Sequence, residues 1–103
     1  MNTKTIAGVQ VNVSDDGYLE DMNQWNKDIA NEIAAEIGIK LTDKHFEVIN
    51  YLRERTAAGE ALTIRKVGQS GVVDIKQLYV LFPKGPLKFS AKIAGIKKPT
   101  SCV

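Results

Sequence analysis

Val9, Val11 and Val13 alternate with Gln10 and Asn12, and this alternation predicts a strand with one apolar face. Gly8 precedes it and Ser14-Asp15-Asp16-Gly17 follows it, residues that suit a turn. Tyr18 and Leu19 are then expected to return as the second arm of a hairpin or to cap the core. The pattern next changes to a helical period. Trp25, Ile29, Ile33 and Ile37 recur with Ala30 and Ala34 beside them, and Gly38 stands where a left-handed helix end wants it. Thr42 and Asp43 predict the start of a second helix over 42–58, with Phe46, Ile49 and Leu52 as its buried stripe. Ala57-Ala58-Gly59 ends it.

Thr63 is placed to cap a short third helix carrying Ile64, Arg65 and Val67, which Gly68 and Ser70-Gly71 interrupt. Asp74 caps a fourth, with Ile75, Leu78, Tyr79 and Phe82 spaced as a buried face. Pro83-Lys84-Gly85-Pro86 stops it, and Pro86 opens a fifth because the first turn of a helix needs no amide hydrogen there. Phe89 and Ile93 share one side of this helix, Gly95 reads as its cap, and Pro99 biases Lys98 toward extended backbone. The fold class expected is mostly helical α+β. An N-terminal β-hairpin packs on a small orthogonal helical bundle that contains a helix-turn-helix-like pair, and an extended C-terminal arm projects from it. Residues 1–95 form the domain and 96–103 the arm.

The 103 residues suffice for one small domain, and 44% hydrophobic with 25% charged residues is ordinary for a soluble protein. No long apolar run follows the N-terminus, so neither a signal peptide nor a membrane span is expected, and the chain is read as cytoplasmic. Net charge is only +2, yet it is unevenly spread. Residues 1–43 hold eight acids (Asp15, Asp16, Glu20, Asp21, Asp28, Glu32, Glu36, Asp43) against three lysines. After Asp74 there are six lysines (Lys76, Lys84, Lys88, Lys92, Lys97, Lys98) and no acid. This asymmetry points to an interaction surface at the basic end.

Cys102 is the only cysteine, and it stands inside that basic segment. It can form no internal disulfide and no Cys-based zinc site, and a single free thiol suits a reducing compartment. Lys97 and Lys98 favour its thiolate, the nucleophilic form, while the nearby C-terminal carboxylate opposes it. His45, the only histidine, has no second ligand to share a metal and is expected at the surface or its boundary. No phosphate loop, nucleophile elbow or Cys–His pair at a known spacing is present. Helix 42–58 and the helix near 63–69 offer a helix-turn-helix reading, with Arg65 and Lys66 exposed. That second helix holds only two basic residues and an internal glycine, a weak footprint for DNA.

Gly17-Tyr18-Leu19, Trp25, Leu41-Thr42 with His45, and the run Ile49-Asn50-Tyr51-Leu52-Arg53-Glu54 resemble one family in order and spacing. So do the run from Leu78 to Pro86 and the ending Lys92-Ile93-Ala94-Gly95-Ile96-Lys97-Lys98-Pro99-Thr100-Ser101-Cys102-Val103. This is the family of the dissimilatory sulfite reductase gamma subunit (DsrC) and the sulfur-relay protein TusE, and the resemblance covers nearly the whole chain. It implies a small helical protein that carries sulfur as a persulfide on Cys102, a sulfurtransferase-type carrier rather than a stand-alone enzyme, with no cofactor and no metal. TusE-like members take sulfur from an upstream relay protein and pass it to an enzyme that thiolates the tRNA wobble uridine. DsrC-like members serve sulfite reductase or related sulfur-oxidation systems through a second arm cysteine, which would fall at Ala91 here. Alanine has no such chemistry, so the resemblance implies the single-thiol, TusE-like type. DNA regulation by the helix pair is the alternative from another class.

The residues expected to dock partners or the arm are Arg65, Lys84, Lys92, Lys97 and Lys98. Arg65 matches a family arginine. Lys97 stands where the family usually has proline, which makes the arm less stiff and more basic. The stretch between Arg65 and Leu78 is several residues shorter than the family's usual one. Nucleic acid enters only through the acceptor enzyme, and no membrane partner is implied.

Overall fold

The computed structural model describes residues 2–99. Strand β1 (Asn2–Ile6) pairs antiparallel with β2 (Val9–Val13), from Asn2 opposite Val13 to Ile6 opposite Val9. The loop between them is Ala7-Gly8, with φ of 51° and 78°. Positive φ at both positions is the geometry of the tight hairpin turn whose twist matches the strands.

The hairpin therefore differs from the sequence expectation, which placed its turn at Ser14–Gly17. That turn also forms, closed by Gly17 N–H on Ser14 O at 2.9 Å, but it returns the chain only as a single bridge between Val13 and Leu19. β1 escapes the pattern because all of it except Ile6 is exposed, so no apolar alternation marks it.

After a short turn of 3-10 helix at Met22–Gln24, five helices follow: α1 (Lys27–Ile37), α2 (Asp43–Ala57), α3 (Ile64–Gly68), α4 (Ile75–Leu81) and α5 (Pro86–Ile93). Thr42, Thr63 and Asp74 are the caps the sequence marks, while Asn26 at α1 is one it does not. Asn26 Oδ1 accepts from Ile29 N–H at 2.9 Å, Thr63 Oγ1 from Lys66 N–H at 3.1 Å, and Asp74 Oδ1 from Gln77 N–H at 2.7 Å. Asn26 takes the cap of α1, so Trp25 lies outside the helix on extended backbone and not at its first turn. At Gly38 the helix ends as expected, with φ of 92°.

The core joins β2, Tyr18, Leu19 and the inner faces of α1, α2, α4 and α5, with α5 packed on both α1 and α2. Two expected stripes shift. The buried face of α2 is His45, Val48, Ile49 and Leu52, while Phe46 is only half-buried with Lys27 above its ring. On α4 only Leu78 and the capping Phe82 are buried, whereas Ile75 and Tyr79 are 42% and 44% exposed. A seven-residue helix has room to bury one narrow edge, and α4 divides its packing between α3 and α5. No helix among the described residues is long and apolar enough to cross a membrane.

Candidate functional site

Cys102 lies outside the described residues, so the site is built from the ground its arm leaves. That ground is the end of α5. Gly95 N–H donates to Lys92 O and Ile96 N–H to Ala91 O, each at 3.2 Å, with Gly95 at φ 68°. This pair of bonds is the usual glycine-terminated helix end, with an apolar residue after the glycine tucked onto the helix. Ile96, expected as the first arm residue, is 2% exposed and belongs to the core.

The motif leaves the carbonyls of Ile93 and Ala94 without helical partners, and two side chains take them. Trp25 Nε1–H donates to Ile93 O at 2.8 Å, and Arg53 Nη1–H donates to Ala94 O at 2.8 Å. Arg53 Nη2–H reaches across to Met22 O at 2.9 Å, and the guanidinium lies 4.2 Å from the centre of the Trp25 ring. Burial pushes the guanidinium below its usual pKa, while arginine keeps its charge in any protein setting. Gly95 closes the arrangement from the other side, because a Cβ there would press on the Trp25 indole.

Neither Trp25 nor Arg53 was singled out as a site residue from sequence. The signal available was spacing: Arg53 lies four residues after Ile49 and one after Leu52, an arginine on the edge of an apolar stripe. His45 carries the same signal, and it corrects the surface expectation. It is 6% exposed, accepts from Thr42 N–H on Nδ1 at 3.0 Å and donates from Nε2 to Leu81 O at 2.9 Å. The histidine thus locks the end of α4 to the start of α2.

Beyond Ile96 the chain keeps to the body as far as it is described. Lys97 and Lys98 line a cleft of about 410 Å³ with Asp16, Tyr18 and Glu20, and a smaller one of about 170 Å³ with Thr56, Glu60 and Leu62. Lys98 Nζ meets Asp16 Oδ2 at 3.1 Å. Lys92 Nζ sits 5.9 Å from the centre of the Tyr18 ring, over the space Gly17 leaves free. Tyr18 Oη in turn donates to Lys88 O at 3.1 Å.

The fold therefore brings three of the expected docking lysines, Lys92, Lys97 and Lys98, to one loop over residues 14–20. Lys84 and Arg65 stand elsewhere. Lys84, exposed at φ 74°, borders a cleft with Ile37, Ile39 and Phe89. Arg65 is exposed on α3, whose main neighbour is α4. The acidic and basic blocks of the sequence, far apart in the chain, meet at Lys98 and Asp16. An exposed pair of this kind is worth about 1 kcal/mol or less, so it tethers the arm lightly.

Residues 5–103 match the family model described as DsrC-like protein. The chain is 36% identical to the "Sulfurtransferase TusE homolog" of Haemophilus influenzae, over 95% of this chain and 97% of the relative. It is 35% identical to "Sulfurtransferase TusE" of Salmonella typhimurium, over 93% and 95% respectively. Among solved structures, that of DsrC from Allochromatium vinosum superposes with a TM-score of 0.82 at 34% identity, covering 99% of this chain and 98% of that one.

Proposed function

We propose a function for this chain from one premise: it belongs to the DsrC-like protein family. It is a sulfur carrier of the single-thiol, TusE-like type, which accepts sulfane sulfur as a persulfide on Cys102 and delivers it to a partner enzyme. The observation that carries this reading is the pairing of TusE relatives along 93–95% of the chain with a lone cysteine, Cys102, in this sequence. In the step, the Cys102 thiolate attacks the outer sulfur of a donor persulfide. The new S–S bond forms as the old one breaks, and the donor departs as its thiolate with electrons and protons conserved. Lys92, Lys97 and Lys98 raise the local positive charge and favour the attacking thiolate.

The donor is an upstream relay protein and the acceptor an enzyme that thiolates tRNA, both in the cytoplasm. A DsrC-like service to sulfite reductase is the second reading, since a DsrC structure shares the fold. Ala91 weighs against it, because a one-cysteine chain closes no internal disulfide. The DNA-binding alternative draws no support: α3 has five residues and packs chiefly on α4.

Incubation with a persulfide donor should add sulfur at one position, read as the intact mass of the chain. Cys102→Ser should lose the adduct completely while keeping the wild-type unfolding curve. An adduct that persists on Cys102→Ser, or none on the wild type, removes the carrier reading.

The second cysteine can be restored as a separate test. Ala91 lies on α5 between Lys88 and Lys92, which contact Tyr18 of the 14–20 loop, but is itself fully buried in the core, so the returning arm must open its cover to reach it. Lys98 is held against that same loop, so the arm starts back toward α5. Ala91→Cys should form a monomeric disulfide with Cys102 under mild oxidation, which requires their Cα atoms about 4.4–6.8 Å apart. Only dimers and free thiol at low protein concentration would show that the arm does not return to α5.

A further inference from the structure

We propose that Arg53 is the positioning residue of the arm: it fixes the direction in which the chain leaves α5, and Trp25 is its brace. The inference rests on the carrier reading only for its purpose, the presentation of Cys102 to partners. Its geometry is independent of that reading.

A helix end has two needs, to satisfy its last carbonyls and to set the path of the next segment. At the glycine-terminated ends of α1 and α2 the backbone serves both. At the end of α2, Gly59 N–H donates to Thr56 O and Glu60 N–H to Arg55 O, and at the end of α1, Gly38 and Ile39 do the same toward Ala35 and Ala34. The same backbone pair is present at α5, so the helix is already terminated without help. Arg53 and Trp25 are added on top of it, and they grip the two residues immediately before Gly95.

The grip has three anchors from two elements, α2 and the short turn with its cap. Arg53 belongs to α2, Trp25 follows the short turn at Met22–Gln24, and Met22 O supplies the acceptor for the second guanidinium nitrogen. A planar guanidinium with two divergent donors holds both carbonyls at a fixed separation, and its stack on the indole removes its remaining freedom. Lysine, with one ammonium, reaches one carbonyl at a time. The consequence is that Ile96 and Lys97 issue toward the 14–20 loop, where Lys98 finds Asp16. Termination and the burial of Ile96 hold the segment to the body, and the side-chain grip on Ile93 O and Ala94 O adds the constraint on the angle at which it leaves Gly95.

The test uses the full chain, Arg53→Met, Arg53→Lys and Trp25→Phe, with backbone amide order parameters from nitrogen relaxation. In the wild type the amides of Gly95, Ile96 and Lys97 should sit near the rigid value of about 0.85. Arg53→Met should drop them below about 0.6 while α1 and α2 stay rigid. Arg53→Lys should restore them in part, and Trp25→Phe, which removes the indole donor and trims the ring but keeps an aromatic face under Arg53, should lower them less than Arg53→Met. Wild-type values at these three amides in Arg53→Met would overturn the proposal, and so would a loss of order spread evenly through α1 and α2. If Arg53→Met does not fold, Trp25→Phe and Arg53→Lys decide by the same criterion. Sulfur loading from inorganic polysulfide, followed by intact mass, should be within about twofold of wild type in all three variants. A wild type that takes no sulfur would sink the carrier reading, while the order parameters still judge the clamp.

Discussion

Gly95→Ala should lower the unfolding free energy by about 3–5 kcal/mol, the larger of two glycine effects that can be compared within this chain. Placing a non-glycine residue at a left-handed φ costs about 1–2 kcal/mol by itself. Here φ is 68°, and the added Cβ would also press on Trp25 Cδ1 and lie 2.8 Å from Cγ and 2.9 Å from Cβ of the same residue. The indole cannot yield cheaply, because it is bonded to Ile93 O and stacked under Arg53. Moving it forfeits a hydrogen bond of about 1 kcal/mol and a cation–π contact of similar size. Gly59→Ala provides the control, since Gly59 has φ of 81° and open space around its absent Cβ. That variant should lose only about 1–2 kcal/mol. Urea unfolding of both variants checks the argument, and equal losses would show that the Trp25 contact limits nothing.

Phe82→Ala should destabilise by about 3–5 kcal/mol, the range for emptying a buried aromatic site. Phe82 is fully buried at the end of α4 and meets the His45 ring edge-on, with centroids 5.2 Å apart at 84°. The residue before it, Leu81, gives the carbonyl that His45 Nε2 holds. Losing the ring therefore opens a cavity and loosens the histidine that ties α4 to α2. His45→Ala should cost about 1–3 kcal/mol, for it leaves Leu81 O and Thr42 N–H without their side-chain partner. The double variant should cost less than the sum, with a coupling of about 0.5–1.5 kcal/mol. Denaturant midpoints of the three proteins measure it. A Phe82→Ala loss below about 1 kcal/mol would mean that α4 is not anchored through this ring.

The family resemblance and the existence of all five helices were readable from the chain, because caps, glycines and apolar spacing are local signals. Thr63 and Asp74 cap the helices their side chains can reach, and Pro86 opens one where its missing donor costs nothing. Strand β1 was not readable, since its polar residues are ordered only by the ladder to β2. The exposed Ile75 and Tyr79 looked buried for a related reason: periodicity marks a face, and only the neighbours decide how wide a face is covered.

The same division runs through the site. The sequence alone determined that Cys102 is the one cysteine and that six lysines and no acid stand between Asp74 and it, because these are facts of covalent order. Tertiary structure decided which lysines gather. Lys92, Lys97 and Lys98 converge on the 14–20 loop, while Arg65 and Lys84 lie on other faces. It also decided that a charge block that looked free is partly answered from within, Lys98 by Asp16. The grip of Trp25 and Arg53 on the end of α5 belongs wholly to the fold. Hydrogen bonds between residues 41 and 68 positions apart leave no trace in local pattern, and only packing brings such groups within reach of one another.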